Sequence, residues 1–343
     1  MEQNAIAQHS LITPMKSSTH PVRVEAIHDE APGIRSFVVA RVDGAPFGSY
    51  EAGAHIDVTG PSGIVRQYSL CGDPDDTHRH VFAVKHESAS RGGSRALHEH
   101  VKIGSQLTVG VPRNRFRLAP RASLHVLVGA GIGVTPLVSM AYRLARDAAP
   151  FVLHYFVRSE QHAAFLPLLR RPPFAGHLRL HCGIEPGDLD ATLGDFLAGC
   201  DADAQVYTCG PAPFMDQVID AAGRRVPADA IHFERFAADT AHADARAGID
   251  ATQTTGAFDL RLARDGRTVH VSADVSIVDA LASIGIEIDT SCGEGICGTC
   301  MVDVLDGEPD HRDHCLSQSE RASGKTICCC VSRSRSPALV LDL

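Results

Sequence analysis

Cys292-Gly293-Glu294-Gly295-Ile296-Cys297-Gly298-Thr299-Cys300 is the stretch that decides how this 343-residue chain is read. Its spacing, Cys-x4-Cys-x2-Cys, is that of a loop wrapping one [2Fe-2S] rhombus, with a fourth thiolate arriving from a distant strand. Cys330, after 29 intervening residues, supplies a candidate for that thiolate. Soft thiolates suit iron and sulfide, and Gly293, Gly295 and Gly298 let backbone N–H groups approach the sulfurs. Structural zinc and unligated buried thiols are the competing readings. Zinc sites usually pair two Cys-x2-Cys knuckles, and only one such pair is present here. Cys328 and Cys329 adjoin Cys330, and Cys315 is a weaker candidate. On a strand Cys328 and Cys330 share one face and Cys329 takes the other, so periodicity does not choose between the first two.

Seven of the eleven cysteines lie between Cys292 and Cys330, an odd total whose crowding points to metal rather than to a secreted disulfide framework. The length suits two or three compact domains. With 44% hydrophobic and 21% charged residues and a net charge of −9, the chain reads as a soluble globular protein with no general attraction to nucleic acid or anionic lipid. Residues 1–21 are mixed and polar, so neither a signal peptide nor a membrane span is expected, and the cytoplasm is the expected location.

From Pro21 to Leu118 short alternating runs (Val22–Val24, Ser36–Val39, His55–Val58) separated by Gly, Pro and Asp predict an antiparallel barrel. Near Pro120 the pattern changes. Leu124–Val128 is a mostly apolar run that ends in Gly129 and leads into a helical stretch from Thr135 to Arg146, which is the strand, glycine turn and helix of a nucleotide-binding α/β unit. Phe151–Val157, Leu178–Cys182, Gln205–Cys209 and Ala230–Phe233 are its further strands. The expected division is 1–119 for the N-terminal tail and barrel, 120–236 for the α/β unit, 237–256 for a linker rich in Ala, Asp and Thr, and 257–343 for the cysteine-bearing module.

Arg66-Gln67-Tyr68-Ser69-Leu70 offers a cation for phosphate, an aromatic face for an isoalloxazine ring and a small hydroxyl near its reactive edge, although a surface Arg and half-buried Tyr on a strand would read the same way. Ser90-Arg91-Gly92-Gly93-Ser94 precedes a helical run from Arg95 to His100. It places glycines and a capping serine where free N–H groups and the helix dipole favour a phosphate. Gly129-Ala130-Gly131-Ile132-Gly133-Val134-Thr135-Pro136 stands between strand and helix as a glycine-rich nucleotide loop does, and Tyr207-Thr208-Cys209-Gly210-Pro211 is a second strand end facing the same crevice.

In this order, ending with the C-terminal cysteines, the motifs resemble the phthalate dioxygenase reductase family, which includes vanillate O-demethylase reductases. The resemblance covers nearly the whole chain. It implies a multidomain fold: an antiparallel β-barrel flavin domain, an α/β parallel-sheet nucleotide domain and an α+β plant-type ferredoxin domain. It also implies FMN, NADH and a Rieske-type oxygenase as the partner protein. By resemblance Arg66, Gln67, Tyr68 and Ser69 line the flavin, Lys85 and Gly92, Gly93 and Ser94 hold its phosphate end, and Thr135 sits between flavin and nucleotide. Cys330, opening Cys330-Val331-Ser332-Arg333, matches the fourth ligand better than Cys328. Phe236, ending His232-Phe233-Glu234-Arg235-Phe236, packs on the flavin, with Phe233 close by as a competitor.

The implied chemistry is hydride transfer from nicotinamide C4 to flavin N5, followed by single-electron transfer to the cluster, with Ser69 the candidate at N5 and Cys209 a positioning residue at the nicotinamide. Arg158-Ser159 would meet a 2′-phosphate, whereas Glu160 would repel one and favour NADH. The module 257–343 holds fourteen acidic side chains against eight basic, a surplus of six negative charges that suits a basic docking face on a partner or simply a solvated surface. A cytochrome P450 or diiron hydroxylase is the alternative acceptor. A flavin and iron-sulfur redox sensor without turnover is the alternative from another class.

Overall fold

The computed structural model describes residues 19–87, 92–236, 256–290, 293, 295, 298–316 and 318–343. The first unit is a six-stranded antiparallel sheet of β1 (Thr19–Ala31), β2 (Ile34–Arg41), β3 (His55–Thr59), β4 (Val65–Ser69), β5 (Arg79–Lys85) and β6 (Gln106–Gly110), in the order β4-β3-β6-β1-β2-β5. A bridge between Leu70 and Phe82 joins the two ends of that order and closes the sheet as the expected barrel. Val22 and Val24 of β1 point inward while Arg23 and Glu25 stay exposed, and Phe37 stacks on Phe82 at 5.4 Å in the interior. The alternating runs show only part of β1 because register shifts at Val24/Ala26 and Asp29/Ala31 break the inside–outside pattern of a 13-residue strand. Helix α1 (Gly93–His100) lays Leu97 into the barrel.

The second unit is a five-stranded parallel sheet of β7 (His125–Ala130), β8 (Phe151–Val157), β9 (Leu178–Cys182), β10 (Gln205–Cys209) and β11 (Ile231–Glu234), in the order β11-β10-β7-β8-β9. Every residue of β7 is buried, as a central strand covered on both faces requires. Helix α2 (Val134–Arg146) buries nine of its residues, α3 (Leu166–Leu169) is a single turn, and α4 (Leu189–Leu197) packs with α5 (Ala212–Gly223). The last strand begins at Ile231, one residue later than expected, because Ala230 ends a 3-10 turn. Barrel and sheet are locked at Gly53. Its N–H donates to Ser139 Oγ of α2 at 2.9 Å, and a Cβ there would lie 2.1 Å from Phe116 O.

The third unit holds β12 (Phe258–Leu262), β13 (Thr268–Val271), β14 (Met301–Asp306), β16 (Thr326–Cys328) and β18 (Ala338–Leu341), in the order β13-β12-β18-β14-β16, with a separate pair of β15 (Pro309–Asp310) and β17 (Arg333–Ser334). Among the described strands of this unit, only β12 and β18 run parallel to each other. The helix Ile277–Ala282 is capped by Ser276, whose Oγ accepts from Asp279 N at 3.0 Å. Phe258, Leu260, Val271, Leu281 and Ile327 form a core of their own. Among the described residues no helix is long and apolar enough to cross a membrane.

Candidate active site

Strand β4 carries Arg66, Gln67, Tyr68 and Ser69, so period-2 geometry alternates their side chains across the sheet. Arg66 lies against the start of α1, its Cγ 3.0 Å from where a Cβ on Gly93 would stand. The N-cap of α1 is Gly92 at φ 105°, with no side-chain cap. Ser94 therefore does not serve as the expected cap. It lies inside the first turn, buried, and its Oγ accepts from Glu87 N at 3.3 Å. Gly92 has no side chain with which to cap the first turn, and this glycine-led helix start beside a guanidinium fits the phosphate end of a flavin nucleotide. Tyr68 stacks on Phe82 at 5.6 Å, and burial pushes its phenol up to about 12, so it is neutral at working pH. The Gln67 amide donates to Asp57 Oδ1 at 3.3 Å. Arg91 lies outside the described residues.

The barrel and the parallel sheet also meet at a carboxylate that the sequence did not single out. Ser69 Oγ donates to Glu234 Oε2 at 3.0 Å, and His55 Nδ1 lies 3.6 Å from Glu234 Oε1. Register explains the convergence. His55 faces Ser69 across β3–β4, and Cys209 faces Glu234 across β10–β11. Burial, then the Glu234 charge, pushes the fully buried Cys209 thiol well above its ordinary value, which suits a positioning residue and not a nucleophile. An acid ending a predicted strand of the α/β unit was the available signal for Glu234, which closes the edge strand β11. Its partner Ser69 is 165 residues away, beyond the reach of any local pattern.

The nucleotide motifs gather around a cleft of about 950 Å³ at the carboxyl ends of β7, β8 and β10, where the strand order switches direction. Gly131, Phe156, Arg158, Gly210, Pro211 and Phe236 line it, and Lys85 reaches it from the barrel while paired with Glu87 at 2.6 Å. Gly133 cannot carry a side chain, because its Cβ would stand 2.2 Å from Cys209 O. The two loops touch only because that residue is glycine. Thr135 is buried with its hydroxyl donated to Ile132 O at 2.9 Å, and Pro136 sits buried in the first turn of α2. Ser159 bonds to His162 Nδ1 at 2.9 Å, and Glu160 is paired with Arg170, so the repulsion expected of Glu160 is largely neutralised. Phe236 is 42% exposed at the cleft, whereas Phe233 lies under the Arg235 guanidinium.

Of the expected cluster ligands, Cys292 and Cys297 lie outside the described residues, and Cys300 and Cys330 lie within them. The loop's glycines take left-handed backbone. A Cβ on Gly295 would meet Val331 at 2.5 Å, and one on Gly298 would meet Met301 Sδ at 2.9 Å. Such close wrapping fits a compact inorganic cluster. Cys328 ends β16 fully buried and bonds to Cys300 and to Cys315, its Sγ 3.0 Å from that of Cys315. Cys330 follows in a turn and is less buried. Arg115, on the segment after β6, crosses to this module and donates to Gly298 O at 3.3 Å.

Comparison with known proteins agrees with this arrangement. Residues 260–335 match the family described as 2Fe-2S iron-sulfur cluster binding domain. The chain is 43% identical to vanillate O-demethylase oxidoreductase of Pseudomonas putida over 318 residues, 92% of this chain and 97% of that one. It superposes on the structure of phthalate dioxygenase reductase with a TM-score of 0.67 and 34% identity, covering 96% of this chain and 100% of that one. It also superposes on an intact type IV self-sufficient cytochrome P450 monooxygenase with a TM-score of 0.81 and 35% identity, spanning 95% of this chain but only 41% of that one.

Proposed function

The chain belongs to the phthalate dioxygenase reductase and vanillate O-demethylase oxidoreductase family, and from that premise we propose that it is the reductase component of a multicomponent oxygenase. Electrons enter from NADH, pass through FMN to a [2Fe-2S] cluster and leave to a Rieske-type aromatic-ring oxygenase or O-demethylase. The observation that carries this reading is the Ser69–Glu234 hydrogen bond, which ties the flavin-lining strand to the strand beside Cys209 at the nucleotide cleft.

When bound, FMN turns the two electrons of a hydride into single electrons and the cluster carries them one at a time. This chain's residues act by placement. Arg66 and the first turn of α1 hold a phosphate, and Tyr68 supplies an aromatic wall. Ser69, its proton committed to Glu234 Oε2, presents oxygen lone pairs as an acceptor at the flavin edge. Cys209 and Gly210 back the nicotinamide end, and Phe236 shields the cleft from water. Cys292, Cys297, Cys300 and Cys330 hold the cluster. Cytoplasmic location and docking through the acidic third module complete the proposal. Exposed Leu305 among Asp303, Asp306 and Glu308 supports such docking, which should weaken as salt rises.

Anaerobic NADH titration followed by absorbance and low-temperature EPR tests the route. Flavin bleaching with a reduced [2Fe-2S] signal, and FMN on release, is expected. A cluster left oxidised beside a reduced flavin would overturn internal transfer and favour a redox sensor. A haem monooxygenase as acceptor is the second reading, favoured by the superposition on the self-sufficient P450 chain. Electron delivery to purified acceptors of the two classes separates them.

A further inference from the structure

Two cysteines of the third module that are not in the expected ligand set touch each other, and one of them, Cys328, also bonds to the expected ligand Cys300. Cys315 Sγ and Cys328 Sγ are 3.0 Å apart, and both cysteines are free thiols. Asp313 is fully buried, with a carboxylate oxygen 3.7 Å from Cys315 Sγ, so the three form a ligand-like group within 4.8 Å. A second metal is the obvious occupant, and two features oppose it. The Asp313 carboxylate is already used: it accepts from Leu316 N at 3.0 Å and Ser332 Oγ at 3.3 Å, and it lies 3.6 Å from both His311 Nδ1 and Arg321 Nη2. Two thiolates on a tetrahedral zinc, with bonds of about 2.3 Å, also stand about 3.8 Å apart, which is wider than this pair.

We propose that Cys315 and Cys328 are an oxidation site that closes to a disulfide beside the cluster, with hydrogen peroxide as the oxidant. A disulfide needs about 2.05 Å between sulfurs, so closure takes roughly 1 Å of side-chain movement. Cys315 is half-buried, whereas Cys328 is fully buried. The order of events follows from that difference. The Cys315 sulfur attacks peroxide, breaking the O–O bond to give a sulfenic acid and water. The Cys328 thiol then displaces the sulfenic oxygen, forming the S–S bond and releasing a second water. Two thiols are oxidised by two electrons and one peroxide is reduced to two waters. The bond would tie the segment before the helix Gln318–Ser323 to β16, the strand that delivers Cys330, and so brace the arm of the proposed fourth ligand.

The test exposes the cluster-loaded protein to hydrogen peroxide in steps while cluster absorbance is followed, then alkylates, digests with trypsin and sequences the peptides by mass spectrometry. Residues 313–321 and 326–333 should appear joined, two mass units light, while the cluster absorbance persists. C315S should abolish the joined species and C329S should keep it. C328S should strand a sulfenic acid on Cys315 that dimedone traps, a readout that survives even if C315S folds poorly. Separate alkylation of Cys315 and Cys328 after peroxide would overturn the proposal, as would crosslinks that appear only as the cluster bleaches. Untreated protein that shows no cluster spectrum would instead overturn the iron-sulfur reading, and the joined peptides could still be scored.

Discussion

Glu234 concentrates three relationships on one carboxylate: it accepts from Ser69, lies beside His55 and faces Cys209 across the sheet. Glu234→Gln keeps the shape but removes the charge that orders the Ser69 hydroxyl. A lost hydrogen bond to a charged group is worth about 1.5–3 kcal/mol, so flavin reduction by NADH should slow by about 10- to 100-fold. Stopped-flow absorbance checks this, and an unchanged rate would remove Glu234 from the site. The same scale decides the fourth ligand. Cys330→Ser should lose the visible cluster absorbance, while Cys328→Ser should retain it because Cys328 is spent in the core against Cys315. The reverse result would transfer ligation to Cys328. The Cys292, Cys297 and Cys300 spacing is legible because cluster geometry dictates local spacing, whereas the preference for Cys330 over Cys328 rests on the resemblance. Glu234 and the Cys315–Cys328 contact were not, since both arise from elements that meet only in the fold.

At the scale of elements, the glycine-rich loop and the end of β10 work as one device because Gly133 lets the Cys209 carbonyl approach. Gly133→Val must push the two loops apart. Overpacking of this kind costs about 1–3 kcal/mol, and the displaced loops should lose NADH affinity before the fold is lost. Fluorescence titration with NADH and thermal melting, taken together, check the order. Wild-type affinity in the variant would show that the loops do not share one nucleotide. The strands of the parallel sheet were readable to within a residue or two because buried parallel strands are continuous apolar runs. The cap of α1 was misread. Ser94 looked like a capping residue from its type and place, but positive φ at Gly92 starts the helix two residues earlier and turns Ser94 inward. Helix boundaries depend on backbone conformation that a one-residue shift conceals.

Across the whole molecule, buried histidines make stability depend on pH. Burial lowers His80, stacked on Phe47 at 3.9 Å in the barrel, to about 4. Burial, then His181 and Arg179, lowers His154 in the sheet to about 3. Both folded values lie below the unfolded value of about 6.5, so between them the unfolded chain binds more protons. Stability is therefore complete above about pH 6.5 and falls as pH drops toward 4 and 3, by up to about 3–5 kcal/mol for each group. Thermal melts followed by circular dichroism should show a lower Tm at pH 5 than at pH 7.5, and His80→Leu should shrink the difference. Equal melting at the two values would refute this account. Three modules, their order and the iron-sulfur loop follow from the sequence alone, because strand alternation, buried apolar runs and cysteine spacing are local consequences of backbone geometry and metal coordination, while FMN and NADH are what the family resemblance implies. Only the tertiary structure decides that Ser69 meets Glu234, that Arg115 reaches the cluster loop and that Cys315 meets Cys328. Those contacts depend on how separately patterned elements pack, and packing brings together residues that no repeat along the chain connects.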